Sequence, residues 1–483
     1  MITFISSIIL LVLGYVVYGK FIERVYGVDP SRQTPAMTMN DGVDYLPMPK
    51  WKTFLIQFLN IAGLGPIFGA VAGAMWGPVA FLWIVLGSIF AGAVHDYFSG
   101  MLSVKHKGLS ITEIVGIYLG NNTKQFMRGF TVILMVIVGA VFIMGPAKIL
   151  ASLTPESLSM NFWVWVVFIY YVLATLLPID KIIGRIYPIF GFALLFMAVG
   201  LTSALIIKGY HMPELTFSSL KNFHTEPEKF PIFPMMFITI ACGAISGFHA
   251  TQSPLMARCI TNEKQGRGVF YGAMITEGIV ALIWAAIGMA FYKGVGPLNE
   301  VMVANKGNAA FLVNEISNSL LGRVGGALAL LGVVAAPITS GDTAFRGARL
   351  IVADFLHLKQ GPIKNRLMIC IPLFIAGYGL TLVDFAVIWR YFAWSNQTLG
   401  MIVLWAITVY LAQEKKFYWI TLFPALFMTV VITSYLLFAP EGFALPYTIS
   451  VNLGIAVATC AALWFFLKQK KNSLVAETVT VPD

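Results

Sequence analysis

Apolar runs long enough to cross a bilayer recur along the whole chain. A crossing helix needs about 20 mostly apolar residues. Runs of that length fall near 2–20, 53–76, 78–103, 127–152, 160–178, 185–208, 231–257, 268–292, 322–345, 364–380, 384–411, 417–438 and 447–467, here spans 1 to 13. Inside a bilayer every backbone group must be satisfied internally, so runs of this length read as helices. The expectation is an all-α polytopic membrane protein with about 13 transmembrane helices in a single transmembrane domain over 1–483. Composition excludes the soluble alternative: 11% of the residues are charged, against about 25% in soluble domains.

The net charge of +10 is a matter of placement rather than of nucleic-acid binding. Taken alternately, the connections after spans 1, 3, 5, 7, 9 and 11 and the tail carry 24 of the 32 Lys and Arg residues, and the intervening connections carry six. Basic loops stay on the cytoplasmic side. The N-terminus is therefore expected outside and the tail 468–483 inside. The first run lacks a basic leader and a small-residue cleavage site, so it reads as a retained helix. The four cysteines show neither metal-ligand spacing nor a disulfide framework, and no metal is expected. No nucleotide-binding loop, HExxH or Ser–His–Asp order is present, so neither an enzyme nor a cofactor beyond a coupling ion is expected.

Two runs contain helix breakers. "NIAGLGPIFGAVAGAMWGP", Asn60 to Pro78, holds five glycines and two prolines. "ITIACGAISGFHATQSP", Ile238 to Pro254, holds Gly243, Gly247 and Pro254. A break at membrane depth survives only where protein or a watery cavity satisfies the freed backbone. Span 2 heads a set of five (53–208) and span 7 heads the next five (231–411), so the two sets run in opposite directions. Inverted repeats with discontinuous helices at the midplane define a transporter site. This 5+5 inverted repeat resembles the leucine-transporter fold, with an extra N-terminal helix at 2–20 and two C-terminal helices within 417–467. Gly65, Gly69, Gly73 and Gly77 recur every fourth residue and read as a helix-packing face, which permits a homo-oligomer without requiring one.

Polar residues inside spans default to functional candidates. The breaks supply Asn60, Ala62, Gly63 and Gly65, and Ser246, His249, Thr251, Gln252 and Ser253. Freed N–H groups and a half-helix dipole suit a substrate carboxylate. His249 either binds substrate, carries a proton or braces the break. "APITSGDTAFRGAR" places Thr339, Ser340, Asp342 and Thr343 near an expected helix interruption at the cytoplasmic end of span 9. Their oxygens suit a hard cation, with carbonyls from Asn60 to Gly63 completing the site by analogy with leucine-transporter folds. Asp342 alternatively carries a proton, or pairs with Arg346 at the water boundary. His95 and Asp96 read as a gate or proton relay, or as a capped interfacial pair. "IWRYFAWSNQTLG" marks a further polar interruption, in span 11, with Arg390, Asn396 and Gln397; Arg390 counters a substrate carboxylate or pairs with Asp384. Lys148 reads as a snorkelling side chain.

Several stretches carry a family resemblance: "DGVDYLPMPKW", "NIAGLGPIFGAVAG", "AGAVHDYFSGMLSVKHKGLSI", "FITIACGAISGFHATQSP" and "RYFAWSNQTLG". Together they resemble the carbon starvation protein A family from residue 41 to about 400. The resemblance implies a multi-pass protein of the bacterial inner membrane, within the amino acid–polyamine–organocation superfamily. It implies uptake of peptides or pyruvate, used in nutrient scavenging. It also implies weight on Asn60 to Pro66, Asp96, Ser246, His249, Asn396 and Gln397. The chain is shorter than the well-known enterobacterial members. Where those carry a His–His pair upstream of the "IAG" motif, it has Ile56 and Gln57. The hydroxyl-rich span 9 keeps sodium beside the proton as coupling ion.

The functional expectation is a cation-coupled importer of peptides or small carboxylates. The substrate would meet Asn60, Ala62, Gly63, Gly65, Ser246, His249, Gln252, Ser253, Asn396 and Gln397. The cation would meet Asn60, Gly63, Thr339, Ser340, Asp342 and Thr343. Lipid and a small solute are the expected partners, without nucleic acid. A facilitator or a nutrient sensor are the alternatives.

Overall fold

The computed structural model describes residues 1–42, 44–176, 183–360 and 362–479. The connection 177–182 and the last four tail residues lie outside the described residues. Where the apolar runs are free of breakers, the chain forms unbroken helices, because in lipid each N–H and C=O must find its partner within the helix. Among the described residues ten helices are long and apolar enough to cross a membrane, and the bent pair Lys50–Ala62 and Gly65–Trp76 makes an eleventh pass.

Two further expected passes lie outside that count. Span 5 is the helix Met160–Leu176, which runs to the edge of the described residues. Span 7 is in pieces: a short stretch over 232–239, an unwound segment over 240–246, and the half-helix Gly247–Ala257. The 293–321 connection folds into the helix Val295–Ala304 and the start of Ala309–Leu356, which kinks at Gly322, where φ is +70°.

Two expected interruptions do not occur. Span 11 is the continuous helix Phe385–Gln413, and residues 339–343 lie within Ala309–Leu356. The hydroxyls of span 9 bond back into their own helix: Thr339 Oγ1 donates to the Ala336 carbonyl at 2.7 Å, and Thr343 Oγ1 to Ser340 at 3.1 Å. Such back-bonding lets a polar stretch stay helical. Asp342 is fully buried rather than at a water boundary.

Connections expected on one face touch one another there. At one end Arg32 pairs with Glu263 at 2.9 Å, Lys105 with Glu414 at 2.7 Å, and Arg258 Nε donates to the Gly108 carbonyl at 2.9 Å. At the other end Asn299 Nδ2 donates to the Phe223 carbonyl at 2.7 Å, Lys208 Nζ to Ser319 at 2.9 Å, and Glu214 holds the Ile2 backbone N–H at 2.8 Å. One slipped pass would have carried a connection to the wrong end.

The glycine ladder is an internal joint. A Cβ on Gly65 would collide with the Cys242 side chain, one on Gly69 with the Thr239 carbonyl, and one on Gly73 with Ile240. The broken spans 2 and 7 thus pack closely along the ladder, two glycines against side chains and Gly69 against a carbonyl. Those three glycines are consumed within the protein and are not left free for a second copy.

Candidate functional site

The unwound segment of span 7 frees backbone groups in the middle of the protein, and side chains from other spans receive them. Ser88 Oγ donates to the Gly243 carbonyl at 3.0 Å, and Gln397 Nε2 to the Ile245 carbonyl at 2.9 Å. The Phe248 N–H, in the first turn of the half-helix, donates to Asn396 Oδ1 at 2.6 Å. The Asn396 amide also donates to Ser246 Oγ at 2.9 Å. Asn396 and Gln397 therefore act here as braces, from a continuous helix that runs past the break.

Span 2 breaks at Gly63, whose φ of +20° and ψ of −142° end the first half-helix, and the two halves meet at 55°. Ser340 Oγ of span 9 donates to the Leu59 carbonyl at 2.8 Å, so the hydroxyl-rich segment does meet the break. Gln57 Nε2 lies 3.4 Å from Ser253 Oγ and ties the half-helices of spans 2 and 7 together. Asn60 stands apart: its side chain is fully buried and neither amide atom has a hydrogen-bond partner. Buried amides are normally satisfied, so such a group needs an explanation.

Beside the breaks lies a line of fully buried titratable side chains. His95 Nδ1 lies 2.8 Å from Asp96 Oδ1, and His249 Nδ1 lies 2.9 Å from Asp96 Oδ2. His249 Nε2 points on to Glu277 Oε2 at 3.3 Å. None of the four is exposed. The interfacial reading of His95 and Asp96 is thereby corrected: both lie in the interior, because the turn that carries them packs against the half-helix of span 7. The four groups form a line rather than a cage, and no group of three or more acid, His or Cys side chains fit to hold a metal ion occurs among the described residues.

A cavity of about 460 Å³ opens at the end that holds Asn299 and Lys208. Lys148, Lys306, Arg390 and Asp384 line it together with Phe68 and Trp389. Lys148 rests over the Phe385 ring at 4.3 Å, and Arg390 Nε lies 3.7 Å from Glu441. From the cavity a chain of rings leads inward: Phe68 to Trp389 at 6.2 Å, Trp389 to Phe392 at 5.4 Å, Phe392 to Phe142 at 5.9 Å, and Phe142 to Phe248 at 6.0 Å. The breaks behind these rings are closed to solvent, since Asn60, Ser246, His249, Gln252 and Ser253 are all fully buried.

Ala62, Gly63 and Gly65 lie at the span 2 break, and Ser246, His249, Gln252 and Ser253 at or just beyond the span 7 break. Thr339 and Thr343 spend their hydroxyls on their own helix, whereas Ser340 also reaches span 2. Arg346 donates to the Ala174 carbonyl at 2.9 Å and lies 3.8 Å from Asp44. Glu277 was missed. Its signal was present: a single carboxylate in the apolar run "GAMITEGIVALIW", which the rule applied to Asp96 would have selected.

Two broken helices packed against each other on an inverted five-helix repeat define a polytopic membrane protein of the leucine-transporter fold. A solved structure of MhsT in complex with L-phenylalanine shares that fold at a TM-score of 0.58 and 13% identity, covering 86% of this chain and 99% of that one. The chain belongs to the family described as Carbon starvation protein CstA, which it matches over residues 1–158 and 150–321. It is 44% identical over 352 residues to an uncharacterized membrane protein of Haemophilus influenzae, covering 63% of this chain and 95% of that protein. It is 26% identical to the peptide transporter CstA of Campylobacter jejuni, over 88% of this chain and 78% of the relative. It is 29% identical to the pyruvate/proton symporter BtsT of Escherichia coli, over 58% of this chain and 47% of the relative.

Proposed function

We propose that the chain is a cation-coupled importer of small carboxylates or short peptides, with its substrate site between the breaks of spans 2 and 7. The observation that carries this reading is Asn60. A fully buried amide with both polar atoms unpartnered, at the edge of a helix break, is a group that an arriving solute or ion would satisfy. Support for the substrate class comes from the relatives named for peptide and pyruvate transport. The cavity lined by three cationic side chains and one Asp also suits a carboxylate. Peptides and pyruvate both offer that group.

The basic connections face the cytoplasm in this reading, which puts the N-terminus outside and the tail inside the bacterial inner membrane. The line His95–Asp96–His249–Glu277 supports a proton as the coupling ion. The bond from Ser340 to Leu59 supports sodium, because a hydroxyl and a freed carbonyl already converge there. Pyruvate and dialanine should each be titrated against the purified full chain, with melting temperature as readout. At least one should raise the Tm of the native protein, and Asn60→Ala should lose about tenfold or more in apparent affinity. Unchanged binding in Asn60→Ala would remove the site from the span 2 break.

A further inference from the structure

We propose that Glu277 is the end of an internal proton wire that runs from Asp96 through His249 to Glu277. The inference rests on the importer reading above and deepens it by assigning the residues that carry the coupling proton. It begins from the isolation of Glu277. The side chain is fully buried in an apolar helix and neither carboxylate oxygen has a hydrogen bond. His249 Nε2 lies 3.3 Å from Oε2. The other titratable groups that face Glu277 are Cys242 of span 7 and Asp96 of span 3. A lone buried carboxylate is costly by several kcal/mol unless it is paired or protonated. A structural acid would have been given donors, as Asp96 has been by His95 and His249.

The geometry of His249 supplies the link. An imidazole presents its two nitrogens on opposite sides, and here each faces a different carboxylate. A proton can leave the Glu277 carboxyl for Nε2 while the Nδ1 proton passes to Asp96 Oδ2. Glu277 is then ionised, Asp96 is neutral, the imidazole is again neutral in its other tautomer, and no charge is created or lost. The missing bond at 3.3 Å makes this the step that a small side-chain rotation opens or closes.

Position couples the wire to transport. His249 lies in the first turn of the half-helix Gly247–Ala257, directly at the break, and the neighbouring Phe248 N–H is held by Asn396. Two carboxylates and two imidazoles in a fully buried cluster are electrically neutral when they share two protons beyond those of neutral imidazoles. An anion arriving at the break makes a third proton favourable. By linkage, that proton raises the affinity for the anion by the same factor. Anion and proton therefore favour each other's binding, which is the coupling that symport needs.

The test uses the purified full chain in two arms. In the first, infrared difference spectra are recorded between about pH 5 and about pH 8, the window in which histidine titrates. The native protein should show a carboxylic-acid band that changes with pH, and Glu277→Gln should remove it; a Glu277→Gln spectrum identical to the native one overturns the wire. In the second, proteoliposomes are given labelled pyruvate or dialanine. Glu277→Gln should lower proton-driven accumulation about tenfold relative to exchange of internal for external solute. Accumulation at the native ratio would also overturn the wire. If Glu277→Gln is unfolded by thermal shift, Glu277→Asp, which retains the acid on a shorter stem, should shift the band and reduce accumulation. If the native protein moves neither solute, the importer reading falls while the infrared arm still decides the wire.

Discussion

Asn396 shows how much one amide can hold in a broken helix. Its Oδ1 accepts from the Phe248 N–H and its Nδ2 donates to Ser246, so the last unwound residue and the first turn of the half-helix both depend on it. Asn396→Ala strands a buried backbone N–H, at a cost of about 1–3 kcal/mol. The expected result is a clear drop in Tm, with Asn396→Asp losing less because it keeps the acceptor. A Tm unchanged in Asn396→Ala would mean that the break is held by other groups. At this scale the sequence was informative about residue type and silent about partners. Asp96, His249 and Asn396 stood out as polar groups in apolar runs. That Asn396 braces rather than binds depends on a contact across 148 residues, which no local pattern encodes. Glu277 was overlooked because it stands in an unbroken apolar run with no second titratable residue beside it.

At the scale of elements, breakers and polar residues carry different information. The glycine- and proline-rich stretches of spans 2 and 7 gave true breaks, since Gly63 leaves helical geometry outright. The hydroxyl and amide clusters of spans 9 and 11 gave continuous helices, because hydroxyls can return their bonds to their own helix and amides can reach a neighbour. The ladder was legible as packing, but its partner was not: the facing surface is the other broken span. Gly73→Leu places a branched side chain where Ile240 already sits. Overpacking of this kind costs about 1–3 kcal/mol. The expected readouts are a lower Tm and weaker solute binding together, because the ladder positions both breaks. A stable Gly73→Leu with native binding would show that spans 2 and 7 do not depend on this joint.

For the whole molecule, the alternation of basic connections and the meeting of connections at common ends support the same topology. The topology was legible because one slipped pass would have scrambled both patterns. Orientation is open to direct labelling. Lys107→Cys should react with an impermeant maleimide only from the cytoplasmic side of oriented membranes, and Lys221→Cys only from outside; the reverse pattern would invert the assignment. The central claim is that this chain moves solute uphill on a cation gradient through a site between two broken helices. Its most direct measurement is accumulation of labelled pyruvate and dialanine in proteoliposomes of the native chain, under proton and sodium gradients imposed separately. The expected result is accumulation above equilibrium with an inward proton gradient, abolished by a protonophore. Equilibration of solute with indifference to both gradients would contradict it.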